Sequence, residues 1–165
     1  MKPLALAAAT LSLTATSAQA LTCLAPDVAT TYQEVAAAEE QYMVLEGTLT
    51  FDADLMPPST LSTVPEGGLH PDPVPAIFHG SHLAADNAFS GPLEGTPVTL
   101  EIDCAAAFCT SLASPMDVLA FVEVGDGTMR LDARPCSDKI FINPSDEMLQ
   151  TVLDCRAGES CGEAG

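Results

Sequence analysis

The sequence predicts a mainly β domain, a small five-stranded Greek-key barrel with one helix before it and one after it, stapled by disulfides. Apolar residues alternate with polar residues in several short segments, which is typical of strands that bury one face. An Asp-Gly turn at residues 126–127 joins two of these segments and favours a tight hairpin. The 165-residue chain contains six cysteines, an even number that suits three disulfides.

The first two predicted elements are a helix over residues 27–41 and a strand over residues 42–51. Asp27 is a good N-terminal cap. One helical face carries the apolar residues Val28, Tyr32 and Val35. Two glutamates stand near the end of the helix, where the helix dipole disfavours them, so the pattern does not define that end. The strand alternates apolar and polar residues, and Gly47 within it predicts a bulge or bend.

The middle of the chain contains a long proline-rich segment at residues 52–75. Its composition predicts a mobile loop, which is a candidate for binding, although most such loops are simply tolerated. Strands are predicted over residues 76–83 and 98–104, separated by a turn over residues 88–97 that contains a Gly-Pro pair. Residues 104–116 are rich in small side chains and predict another loop.

The last two of the five strands form a hairpin over residues 117–136. Its first strand is apolar on both faces as far as Glu123, whereas its second strand is apolar on one face only. A short apolar run follows at residues 139–142, and Asn143-Pro144 is predicted to begin the C-terminal helix with asparagine as its cap. Five such strands must close or be covered because open edges promote aggregation, which favours a barrel.

Residues 1–20 have the pattern of a secretory signal peptide. Lys2 precedes an apolar run that is too short to span a membrane, and Ala18-Gln19-Ala20 is a typical cleavage site. We therefore expect a periplasmic or extracellular protein with no membrane span, in which residues 21–165 form a single domain. The chain has 23 acidic residues and a formal net charge of −18, which argues against a nucleic-acid partner.

The candidate disulfide residues all follow the predicted cleavage site and are Cys23, Cys104, Cys109, Cys136, Cys155 and Cys161. Six cysteines allow 15 pairings. Cys104 and Cys109 are close enough in sequence to close a local loop, and so are the last two cysteines. If both local bridges form, the remaining bridge joins Cys23 to Cys136 and fixes the N-terminal segment to the end of the hairpin.

Several of these features together resemble the OB-fold of tissue inhibitors of metalloproteinases and netrin-type modules. They are a cysteine near the mature N-terminus, a helix, the strand YMVLEGTLTF and a hairpin that runs from VLAFV through GDG and MRL to Cys136. The resemblance implies an OB-like barrel and a bridge between Cys23 and Cys136. Inhibitors of this family chelate zinc through the first cysteine of a Cys-x-Cys opening, whereas this chain has Leu21-Thr22-Cys23. The resemblance therefore implies the scaffold rather than zinc chelation.

Catalytic patterns are missing from the sequence, which has no nucleophile turn, Cys-x-x-Cys pair or glycine-rich phosphate loop. We expect no enzymatic activity and no cofactor. The sequence favours an exported domain that binds a protein or peptide. The alternative is a periplasmic metal-binding protein that uses His70, His79 and His82. A spacing of three would place His79 and His82 on one face of a helix but on opposite faces of a strand.

Overall fold

The computed structural model describes residues 23, 25–64, 69, 71–159 and 161–162. The predicted signal peptide and His70 lie outside the described residues. The helices are α1 (Val28–Ala37) and α2 (Asp146–Ala157), and a 3₁₀ turn occupies Ala53–Leu55. The strands are β1 (Tyr42–Phe51), β2 (Val74–Leu83), β3 (Phe89–Ile102), β4 (Cys104–Ala105), β5 (Phe108–Cys109), β6 (Met116–Gly125), β7 (Thr128–Ala133) and β8 (Ile140–Ile142). The fold is mainly β, as predicted.

Six of the strands form one sheet in the order β1-β2-β3-β7-β6-β8, and β1 also pairs with β6. Each of the five strands β1, β2, β3, β6 and β7 therefore has two partners among these five. All of the pairings are antiparallel except the pairing of β3 with β7, which is parallel. The small strands β4 and β5 form a separate hairpin.

Strand β6 is buried on both faces, as its two-sided apolar run predicts. Val118, Ala120 and Val122 belong to the main core between the strands. Leu119 and Phe121 belong to a second core that includes residues of both helices. The ring of Phe121 packs edge-on against a phenylalanine of β8, with 6.0 Å between the ring centroids. The helices thus cover one outer side of the sheet.

Strand β3 corrects the predicted turn over residues 88–97. These residues form most of a 14-residue strand, and Pro92 pairs with Ser81 of β2. This half of β3 has β2 as its sole strand partner in the described chain, because β7 pairs only with residues 99–102. A proline on such an edge removes no hydrogen bond of the ladder. Gly91 leaves room for an imidazole, since a Cβ atom there would lie 1.9 Å from Cε1 of His82.

Three further predictions need correction. The described chain has eight strands rather than five, and the run predicted at residues 139–142 contributes β8. Helix α2 is capped by Ser145, whose hydroxyl accepts the N–H of Met148 at 3.3 Å, and not by Asn143. Asn143 instead donates its N–H to the carbonyl of Asp117 on β6. Helix α1 ends at Ala37 rather than near residue 41, so Glu39 and Glu40 follow the helix and are not part of its last turn.

The backbones of β1 and β2 approach each other closely at Gly47 and Gly80, which are direct partners in the ladder. A Cβ atom on Gly80 would lie 2.3 Å from the carbonyl oxygen of Glu46 and 2.7 Å from Cα of Gly47. A Cβ atom on Gly47 would be equally close to the backbone of β2. The ring of Phe78 covers this contact. The bend predicted at Gly47 is therefore part of a contact that only two glycines permit.

Three cysteine pairs lie at disulfide distance, and the structure describes no free cysteine. The Cα–Cα distances are 5.3 Å for Cys23–Cys136, 4.1 Å for Cys104–Cys109 and 4.3 Å for Cys155–Cys161. Three disulfides indicate an oxidising, exported environment. No helix in the described part of the chain is long and apolar enough to cross a membrane.

Candidate functional site

The described residues form a groove of about 700 Å³, which we call the cystine groove. It is lined by Cys23 and Pro26 of the N-terminal segment, by residues 108–112 and 134–137, by all of β8 and by Met148 of α2. Two disulfides contribute to its walls. Both cysteines of the Cys23–Cys136 bridge line the groove, and so does Cys109 of the Cys104–Cys109 bridge. Segments that are far apart in sequence are thus fixed around one cavity.

The wall of the cystine groove is mostly apolar, and two of its large side chains are exposed. Ile142 is 49% exposed and Phe108 is 37% exposed, which places both among the few exposed large hydrophobic residues of the described chain. Exposed apolar side chains beside a cavity are typical of a binding surface. Thr110 also lines the groove, and its buried hydroxyl has no hydrogen-bond partner among the described residues.

Strand β8 presents a free backbone edge at the cystine groove. It pairs with β6 alone among the described strands. The carbonyl of Lys139 accepts the N–H of Phe121 at 2.9 Å, and Phe141 lies opposite Leu119. Because backbone groups alternate in direction along an antiparallel strand, the N–H and C=O groups of Ile140 and Ile142 point away from β6. The groove is therefore bordered by backbone donors and acceptors without a strand partner.

Charge is scarce within the cystine groove. Arg134 is the single charged residue in its lining among the described residues, and its guanidinium pairs with Asp132. Carboxylates nevertheless border the lining along the chain. Asp27 follows Pro26, and Glu147 precedes Met148. Hydrogen bonds from Thr30 hold the pKa of Asp27 below its ordinary value, so this carboxylate stays negative at neutral pH.

Part of the predicted mobile loop is held beside the cystine groove. Thr60 forms a β-bridge with Phe108, and the N–H of Leu61 donates to the carbonyl of Ala107 at 2.8 Å. The carbonyl of Ser59 accepts the N–H of Cys109 at 3.1 Å, and Ser59 itself lines the groove. Residues 59–61 therefore pair with the β4–β5 hairpin beside the groove.

The two described histidines lie in different environments. Nδ1 of His79 lies 3.1 Å from Oε2 of Glu94 and 3.2 Å from the backbone nitrogen of Gly95. This nitrogen can accept from Gly95 when it carries no proton, or donate to Glu94 when it does. The ring of His82 instead lies against Gly91, and its buried Nδ1 has no partner among the described residues.

A second cavity, of about 420 Å³, lies beside His82 and is also lined by Tyr32 and Arg156. Among the described residues, no group of three or more His, Cys, Asp or Glu side chains could hold a metal ion. His79 and His82 therefore belong to no such group among the described residues.

A cluster of charged residues occupies the surface near the start of β1. The guanidinium of Arg130 pairs with Glu123, and this hydrogen bond raises the pKa of Arg130. The ammonium of Lys139 lies 5.8 Å from the centroid of the Tyr42 ring. Burial raises the pKa of Tyr42, although the nearby lysine opposes that change. Arg130 is thus paired with Glu123, and Lys139 is paired with Asp138, whose Oδ1 lies 3.5 Å from its ammonium nitrogen.

Sequence reasoning did not identify the residues that form the cystine groove, apart from its cysteines. The apolar run at residues 139–142 was the one signal, because a short apolar segment after a hairpin can form an additional edge strand. Phe108 gave no signal, since a single aromatic residue in a loop of small residues has no periodicity. Comparisons of the chain with protein-family models, with curated proteins and with solved structures find no match.

Proposed function

We propose that this chain is an exported, non-enzymatic, disulfide-stabilised domain that binds a protein or peptide in the cystine groove. The observation that carries the proposal is the free edge of β8 next to an apolar cavity with two exposed side chains. Apolar grooves with few charges and unpaired backbone groups suit a polypeptide ligand better than a metal ion or a small polar substrate.

We also propose that the scaffold is an OB-like five-stranded barrel related in pattern to the tissue inhibitors of metalloproteinases and netrin-type modules. The supporting observations are the pairing of β1 with both β2 and β6 and the parallel pairing of β3 with β7. The pairing of Cys23 with Cys136 is the bridge that this resemblance implies. Because the opening Cys-x-Cys is missing, the proposed binding surface is the groove rather than the chain terminus.

The test is a selection of random twelve-residue peptides against the oxidised protein, followed by affinity measurements on the selected synthetic peptides. Two exposed isoleucines provide matched variants. Ile142 lies in the groove, whereas Ile77, which is 41% exposed, lies on β2 and is not part of its lining. Ile142→Asp should lower peptide affinity about ten-fold or more, because it places a carboxylate against apolar groups.

The variant Ile77→Asp should leave peptide affinity within about two-fold of the original value, since surface changes remote from an interface have small effects. Fluorescence anisotropy with labelled peptides measures both affinities. The proposal is wrong if no selected peptide distinguishes the two variants, or if both variants weaken binding equally.

A further inference from the structure

We infer that the ligand of the cystine groove is an extended, cation-flanked peptide segment that adds to the free edge of β8 as a further strand. This inference rests on the proposed function and specifies its binding mode and its ligand. It concerns backbone hydrogen bonds at Ile140 and Ile142, which are separate from the side-chain contacts that the groove offers.

The spacing of the free backbone groups selects an extended chain. Ile140 and Ile142 each direct one N–H and one C=O away from β6, and one residue lies between them in the chain. A strand repeats its hydrogen-bonding groups with the same period of two, so an added strand can satisfy both residues together. A helix satisfies its own backbone groups internally and offers no such row. Edge addition of this kind is a recurrent mode of peptide recognition.

The composition of the groove determines which side chains the added strand should carry. Its lining contains Phe108, Leu112 and Ile142, so the residues of the ligand that face the cavity should be apolar. Arg134, the one charged group in the described lining, is already paired. The centre of the bound segment should therefore be uncharged.

The charge of the whole chain indicates the flanks of that segment. The formal net charge is −18, and the carboxylates of Asp27 and Glu147 adjoin lining residues in the chain. Asp138 and Lys139 also adjoin lining residues, but these two pair with each other and leave the carboxylates in excess. Such a field attracts lysine and arginine residues on either side of an apolar core. It also opposes the other obvious occupant of a free edge, a second copy of this chain, because two strongly negative molecules repel each other.

Methylation of single backbone nitrogens in a selected groove-binding peptide tests the added strand on the unaltered protein. Only alternate residues of a strand direct their N–H groups to one neighbour. Methylation at every second position within the apolar core should therefore lower affinity about ten-fold or more, whereas methylation at the intervening positions should change it about two-fold or less. Uniform tolerance of methylation would overturn strand addition but leave groove binding intact.

The protein side of the contact is tested by Ile142→Pro, with Ile142→Ala as its matched control. Proline removes an N–H that points away from β6, so the ladder between β6 and β8 keeps its bonds. We expect the proline variant to bind the same peptide about five-fold or more weakly than the alanine variant, which retains the N–H. Equal affinities would contradict the inference. If the proline variant fails to fold, the methylation series still decides the question.

Two further measurements address the partner. Replacement of flanking lysines by glutamine should weaken binding at low salt and abolish most of its salt dependence. An unchanged affinity and salt dependence would contradict the cationic flanks. Sedimentation of the free protein should show a monomer, and a dimer that peptide dissociates would assign the edge to a second copy instead. Absence of any groove-dependent peptide would refute the proposed function itself.

Discussion

Substitution of Gly80 by alanine tests how closely β1 and β2 must approach. The added methyl group would lie 2.3 Å from the Glu46 carbonyl oxygen and 2.7 Å from Cα of Gly47, and both are backbone atoms that cannot rotate away. Overpacking of this kind costs about 1–3 kcal/mol, and an alanine at the positive φ of Gly80 adds about 1 kcal/mol. We expect the free energy of unfolding to fall by about 3 kcal/mol and Tm to fall by about 10 °C.

The matched control is Gly127→Ala in the turn between β6 and β7. Gly127 also has a positive φ, of 74°, but beyond its chain neighbours no atom of the described residues lies within 4 Å of the position that an added methyl group would take. It should cost about 1 kcal/mol, from the backbone conformation alone. Urea unfolding with the disulfides intact measures both values. A Gly80→Ala variant no less stable than Gly127→Ala would show that the two strands separate easily, and the close-contact argument would be wrong.

Two more predictions concern buried polar groups and pH. Thr31 and Thr110 are the two buried polar residues of the described chain, but only the hydroxyl of Thr31 has a partner, the carbonyl of Asp138 at 2.8 Å. Thr31→Val should therefore lower the free energy of unfolding by about 1–3 kcal/mol, whereas Thr110→Val should leave it unchanged or raise it by up to about 1 kcal/mol. Thermal unfolding compares the two variants. Equal losses would contradict the claim that only the Thr31 hydroxyl is hydrogen-bonded. The lowered pKa of Asp27 means that its contribution to stability is present above the ordinary aspartate pKa and is lost as the pH falls through the lowered value. Asp27→Asn should remove this part of the acid dependence of unfolding while keeping a cap, and an unchanged acid profile would show that the carboxylate contributes nothing.

Sequence patterns predicted the elements in which local chemistry and tertiary packing agree. Strand β1 has the predicted bounds, because its alternating pattern matches the two cores on either side of it. The hairpin of β6 and β7 turns at Asp126 and Gly127, which both adopt positive φ. The pairing of cysteines in the structure is the one that follows if both local loops close.

The failures occurred where distant partners decide the local structure. Gly91 and Pro92 are turn residues by propensity, yet both lie within β3. The ring of His82 occupies the position that a Cβ atom of residue 91 would take, and a proline N at a strand edge removes no hydrogen bond of the ladder. Strand β8 is only three residues long, so its apolar run could not be distinguished from a connection. The cystine groove could not be predicted because its walls come from six separate parts of the chain, and no local pattern records which of them meet.

The bridge between Cys23 and Cys136 joins residues that are 113 positions apart, and both of them form part of the groove. Residue 136 has to be synthesised before this bridge can form, and a reducing environment keeps the two thiols reduced. Covalent closure of this wall therefore requires oxidation of both thiols after residue 136 has been synthesised.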